Sequence, residues 1–334
     1  MCRLFGVVFA LAAALAWTPA SGEEPPSFLL RWGTQGWEDG QFLVPVTVAA
    51  DPWGAVYVGD NTKRIQKFDE NGGFLAKWGS RGSDPGQFHD IRAIALDAGG
   101  NVWVVDGGWG NCRIQKFDAS GNFLLQWGSR GSGPGQFEQP DDIALDAAGN
   151  AYVTDWRNNR VQKYDAAGNF LLQWGSQGSG PGQFQYASPG AVGVAPGGDV
   201  YVADTERHRI QKFDSSGNFL LTWGAYGQGD GEFITPVGIA IDARGDVYVS
   251  EFNGNRIQKF GPEGQFLCKW GRVGSADGEF WGATDVAVNA SGNVYVTDAE
   301  NHRVHRFVYS PRVPTAVQLD TWSDIKKRYA SPKP

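Results

Sequence analysis

Aromatic or charged side chains, in some cases side by side, mark a few places in this 334-residue chain. They are His89-Asp90-Ile91-Arg92, the glycine-rich Gly107-Gly108-Trp109-Gly110, Asp141-Asp142, Trp156-Arg157, Gln185-Tyr186-Ala187-Ser188, and Trp281 with Asp285 just beyond it. The chemistry that such mixtures serve is recognition: a ring supplies rigid contact area and a neighbouring charge fixes orientation. Covalent catalysis is not what they suggest. No Gly-x-Ser-x-Gly elbow, nucleotide-binding loop or Cys-His cluster occurs. The four histidines, His89, His208, His302 and His305, are scattered, whereas a zinc site needs at least three protein ligands brought together.

Each of these places interrupts a repeat. A valine-rich strand ending in an acidic residue, then Arg-(Ile/Val)-Gln-Lys-Phe, then Gly-x-Phe-Leu-x-x-Trp-Gly, recurs along the chain, and the arginines Arg64, Arg113, Arg160, Arg209, Arg256 and Arg303 are 47 to 49 residues apart. That period fits four short strands and their turns. In one unit the strands are a (Asp142-Ile143-Ala144-Leu145), b (Ala151-Tyr152-Val153-Thr154-Asp155), c (Arg160-Val161-Gln162-Lys163-Tyr164) and d (Asn169 to Trp174). Phe170, Leu172 and Trp174 alternate on one face of d, and the a–b turn Asp146-Ala147-Ala148-Gly149-Asn150 has a glycine where a bulged hairpin needs a left-handed residue.

Counting strands predicts how the ring closes. Six a-b-c sets lie near 44–68, 91–117, 140–164, 191–213, 237–260 and 284–307, and six d strands end at Trp32, Trp78, Trp127, Trp174, Trp223 and Trp270. One d strand therefore precedes the first a strand, and the last a-b-c set lacks one. Pairing Phe28–Trp32 with Arg303–Phe307 covers an otherwise open edge. The fold class is all-β: a six-bladed β-propeller over 23–310. The acidic residues ending strand b, Asp60, Asp106, Asp155, Asp204, Glu251 and Asp298, occur in every blade, so they are read as scaffold carboxylates that hold the b–c loop or meet the repeated arginine.

The chain resembles the NHL-repeat family, whose signature Val-Tyr-Val-x-Asp-x-x-Asn-x-Arg-Ile-Gln-Lys-Phe is matched closely by 200–213, 247–260 and 294–307. The resemblance covers nearly all of 28–308 and implies the propeller. For function it implies several things at once: ligand-sensing domains, RNA- and protein-binding modules, and relatives of metal-dependent lyases and lactonases. The lyase relatives hold zinc with histidines preceding strand a; here those positions are Thr47, Ala93, Asp142, Ala191, Gly238 and Asp285. The lactonase relatives hold calcium in the channel with acidic and amide oxygens, and Asp142 and Asp285, in opposite blades, are the nearest match.

Composition bears on location and partner. Arg3, the apolar run Leu4–Trp17 and the small residues Ala20, Ser21 and Gly22 read as a secretory signal peptide over 1–22; the run is too short for a membrane span. Cys112 and Cys268 fall three blades apart, too far for a disulfide. The whole chain carries −7; the +1 of residues 1–22 and the +3 of 311–334 leave the propeller at −11. So acidic a ring is not expected to bind nucleic acid. Residues 311–334 form a basic tail in which Thr321-Trp322-Ser323-Asp324 is suited to start a short helix.

The sequence therefore predicts a secreted or periplasmic, monomeric propeller that binds a protein, peptide or glycan through its d–a and b–c loops and needs no cofactor. The site is expected at His89, Arg92, Trp109, Asp141, Trp156, Arg157 and Tyr186 in blades two to four, with Trp281 in blade six. The alternative is a channel enzyme of hydrolase, lactonase or lyase type, with a divalent cation such as calcium at Asp142 and Asp285.

Overall fold

The protein is described from a computed structural model covering residues 22–108, 110–186 and 188–309. The predicted signal peptide and basic tail, and Trp109, lie outside the described residues. Twenty-four strands form six antiparallel sheets of four. Blade one comprises Pro45–Ala50, Val56–Asp60, Ile65–Phe68 and Phe74–Trp78. Blades two to five repeat it over 91–127, 140–174, 192–223 and 236–270. Blade six combines Ala283–Val288, Val294–Asp298 and Arg303–Val308 with the N-terminal strand Ser27–Trp32, which pairs antiparallel to its strand c with Phe28 opposite Phe307 and Trp32 opposite Val304. Consecutive a strands neighbour one another around the ring, blade six meeting blade one.

Burial explains the repeat. The b strands are buried along their whole length, as strands sandwiched between two sheets must be. The outer d strands alternate, with Leu29, Leu75, Leu124, Leu171 and Leu220 facing solvent. The Trp-Gly pair ending each d strand is a packing device. The Trp78 ring packs on Phe117 of the next blade at 6.1 Å, and Gly79, at φ +98°, lies so close to Phe88 that a Cβ there would meet the ring at 2.7 Å. A lysine or arginine on each strand c lies over an aromatic ring of its own strand b, Lys116 over Trp103 at 4.4 Å and Lys163 over Tyr152 at 4.8 Å, a desolvated cation–π contact. Lys259 is buried with two carboxylates, Glu23 at 2.8 Å and Asp246 at 3.0 Å, and the Tyr309 ring lies beneath it, so both ends of the described chain meet on blade five.

Candidate functional site

The strand order puts the d–a and b–c loops on one face, here the mouth, and the a–b and c–d turns on the other. Beneath the mouth every blade repeats one hub. In blade two Arg113 Nε lies 3.1 Å from Asp106 Oδ2, while its two terminal nitrogens donate to the carbonyls of Ser83, Asp84 and Gln87 in the preceding d–a loop. Asp106 Oδ1 accepts from the His89 and Asp90 amides. The same arrangement recurs with Arg160 and Asp155, Arg209 and Asp204, Arg256 and Glu251, and Arg303 and Asp298. In blade one, Arg64 and Asp60 are 3.7 Å apart. The acids that end strand b thus answer the repeated arginine, as expected. The b–c loop expected of them is held through Thr62, Asn111, Asn158 and Asn301 in blades one, two, three and six, and in every blade the carboxylate also pins the d–a loop above it.

On that platform the divergent residues take separate places. Arg92 Nε donates to Asp141 Oδ1 at 2.8 Å, and Arg92 also lies 3.7 Å from Asp90, whose other oxygen is 2.8 Å from Lys63 Nζ. A chain of alternating charge, Lys63–Asp90–Arg92–Asp141, therefore crosses the mouth from blade one to blade three. The charge of Asp141 raises the Arg92 pKa further above its already high value. His89 is half-buried, its ring against Gly110. In blade three Arg157 stacks on Trp156 at 5.5 Å and donates from Nε to Gln139 Oε1 at 2.9 Å. Tyr186 is 57% and Trp281 61% exposed. The structure thus joins Arg92 to Asp141 and Trp156 to Arg157, and it leaves Trp281 in blade six, across the ring from blade three.

Asp142 and Asp285 lie in the wall of the central channel, which widens into a cavity of about 200 Å³ otherwise lined mostly by valine, alanine and isoleucine. Each ties its blade to the next. Asp142 Oδ2 accepts from the Val192 amide at 2.7 Å and Oδ1 from Ile143 at 2.7 Å; Asp285 Oδ2 accepts from Val48 at 2.9 Å and Oδ1 from Val286 at 2.8 Å. Thr47 does likewise with its hydroxyl, accepting from the Ile94 amide. Both residues are half-buried, deep in the ring. Burial raises both pKa values, that of Asp285 to about 6 and that of Asp142 well above the usual range, with the Asp285 charge adding to the latter. All four oxygens already accept backbone amides, and no group of three or more His, Cys, Asp or Glu among the described residues is arranged to hold a metal. A calcium ion takes six to eight oxygens, so this donor set does not fit one.

Sequence reasoning missed three features: the charge chain begun by Lys63, the blade-to-blade role of Asp142 and Asp285, and the histidines' contacts. His208 Nδ1 accepts from the Thr235 amide and His302 Nδ1 from the Val44 amide. His305 replaces a glutamine found in the other five blades, a signal visible in the repeat itself.

A six-bladed ring with a buried arginine–carboxylate hub under its mouth is a β-propeller scaffold whose loops diverge from blade to blade. The NHL repeat pattern matches residues 137–164, 186–213, 233–260 and 280–307, and the chain is an NHL-repeat protein. No curated protein matches it significantly. Among solved structures it is similar to virginiamycin B lyase from Staphylococcus aureus, at 12% identity over 84% of this chain and 100% of that one, TM-score 0.56. It is also similar to a protein of unknown function from Bacteroides thetaiotaomicron, at 15% identity over 84% and 76% of the two chains, TM-score 0.60. An auxiliary nutrient binding protein from the same organism aligns at 15% identity over 81% and 70%, TM-score 0.59. At such identities the likeness is one of fold.

Proposed function

We propose that this propeller acts by binding a protein, peptide or glycan on its mouth face, outside the cytoplasm, in a secreted or periplasmic setting. The observation that carries this reading is the platform itself. The buried hub holds the loops of every blade, so the side chains that break the sixfold pattern, His89, Arg92, Asp141, Trp156, Arg157 and Tyr186, are presented on a rigid base, which lowers the ordering cost of binding. The acidic ring argues against a nucleic-acid partner.

Glycan and peptide arrays probed with the intact protein test it. Selective binding is expected, lost about tenfold or more in Trp156→Ala or Arg157→Ala at unchanged melting temperature, and retained in Asp285→Asn. Binding that survives both mouth substitutions would overturn the assignment of the site.

A second reading rests on Asp285, a carboxyl deep in the channel whose pKa is pushed up to about 6, in the same channel wall as a second raised carboxyl, which is the setting of a general acid or base. It predicts turnover of lactones or related substrates that disappears in Asp142→Asn and Asp285→Asn. In its metal-dependent form it also predicts stoichiometric calcium and a fall in melting temperature on adding EDTA. The oxygen inventory of the channel favours neither metal result.

A further inference from the structure

At the tip of each b–c loop one residue takes a left-handed conformation: Lys63, Cys112, Asn159, His208, Asn255 and His302, with φ between 47° and 66°. From there the side chains at three consecutive junctions reach the d–a loop of the next blade in the same way, whereas that of Asn159 bonds within its own turn, to the Arg157 carbonyl. Asn255 Oδ1 accepts from the Gly282 amide at 2.8 Å, His208 Nδ1 from the Thr235 amide at 3.2 Å, and His302 Nδ1 from the Val44 amide at 3.1 Å. The three residues held are themselves left-handed, Gly282 at φ 78°, Thr235 at 58° and Val44 at 52°. Glycine adopts this shape freely; threonine and valine, branched at Cβ, do so only under constraint. Asp90 and Gln139, at the same place in blades two and three, have ordinary φ values and no such acceptor: Asp90 is reached by the Lys63 ammonium instead.

A ring nitrogen that accepts a backbone N–H carries no proton, so both histidines are neutral with their hydrogen on Nε2. We propose that His208 and His302 are proton-operated staples of the mouth: neutral, each holds the following blade's d–a loop in its constrained shape, and protonated, each turns an N–H toward an N–H and releases it. The surroundings offer the protonated ring no substitute. His208 packs against the Tyr226 ring at 5.0 Å; the charges of its own turn are Glu206, Arg207 and Arg209, the last committed to Asp204. The His302 ring is held against the Val44 backbone; Glu300 is in its turn and Arg303 is committed to Asp298. Neither ring is ion-paired with a carboxylate among the described residues, unlike His305. Acidification would therefore loosen the arc from blade four through blade six to blade one, while the Asn255 staple within it, built on an amide oxygen, is unaffected.

Amide hydrogen exchange on the whole protein without ligand tests this, so its outcome is independent of whether the mouth binds anything. Between about pH 7.5 and about pH 5, the protection factors of the Val44 and Thr235 amides are expected to fall about tenfold or more while that of Gly282 holds. The His208→Asn/His302→Asn double variant, which copies the solution at Asn255, is expected to keep protection at both pH values. Protection at Val44 and Thr235 that follows Gly282 throughout would overturn the proposal, as would the same acid loss in the double variant. Proton-detected 15N spectra at neutral pH give a second check, since a proton on Nδ1 of either ring contradicts the staple directly.

Discussion

Five blades place a glutamine in the middle of strand c: Gln66, Gln115, Gln162, Gln211 and Gln258. Its carbonyl accepts from a glycine amide in the d–a loop and its amide donates to a carbonyl there, as Gln115 does with Gly86 at 2.9 Å and Gln87 at 2.7 Å. His305 cannot make that pair of bonds. Its ring is fully buried among Phe28, Phe280 and Phe307, with Nε2 3.3 Å from Asp298; the contact is close but poorly aligned, leaving both nitrogens without a good hydrogen bond. Burial pushes its pKa below the ordinary value, Asp298 opposing the shift only in part. The folded state thus prefers the neutral ring, so this residue's stability is present above about pH 6.5 and is lost as pH falls below it through the folded value. His305→Gln should restore the two bonds, raise stability by about 1–2 kcal/mol and remove this acid loss, which urea unfolding at neutral and acid pH measures. A less stable variant would show that the packing of the three rings outweighs the bonds. The channel carboxyls behave in the opposite sense. Because burial raises the Asp285 pKa to about 6, the folded state binds its proton more tightly than the unfolded chain, and its contribution to stability grows as pH falls from above 6 toward the ordinary value near 4. Carboxyl 13C shifts should show a step near pH 6; titration near 4 would mean that channel water solvates the group fully.

At the scale of elements, the six d strands carry the fold's most readable mark and its greatest liability. Phe, Leu and Trp in alternation announce a strand with one buried face, and the surplus of one d strand at the start of the chain announces closure, which the pairing of Phe28 with Phe307 bears out. The loops were less legible. A staple such as His208 to Thr235 joins residues 27 positions apart in different blades, and no local pattern marks such a pair; what marks it is a left-handed conformation at both ends, which sequence does not display for a histidine or a threonine. Arg92 illustrates the same limit, since it was legible as a departure from the repeat but not as the partner of Asp141, 49 residues away. Removing residues 23–33 tests the closing strand. The edge of blade six would then lie open and Phe307 and Tyr295 would lose cover, so the melting temperature should fall on the order of 10 °C and chromatography should show self-association through the free edge. A monomer of unchanged melting temperature would contradict the closure's importance.

For the whole molecule, the sixfold scaffold carries a weaker twofold order. Among the described residues lining the channel cavity, the carboxylates are Asp142 of blade three and Asp285 of blade six, and each is backed by a threonine hydroxyl, Thr154 and Thr297, which accepts from the aspartate's own amide at 2.8 Å. The ring count and the scaffold role of the repeated acids could be read from repetition, because a repeated residue answers to repeated geometry. The candidate site had only departures from repetition to announce it, and these locate a face without naming what it meets. Closure has a further consequence, for time rather than stability. The strand containing Phe28 is made early, and its partner around Phe307 follows some 279 residues later. At roughly 5–20 residues per second of synthesis, that interval lasts on the order of 15–55 s. Throughout it the first strand has no mate, and five blades can assemble before the ring can shut; the nascent chain is an open arc with adhesive edges, and whatever keeps those edges apart governs how much of the protein arrives as single rings.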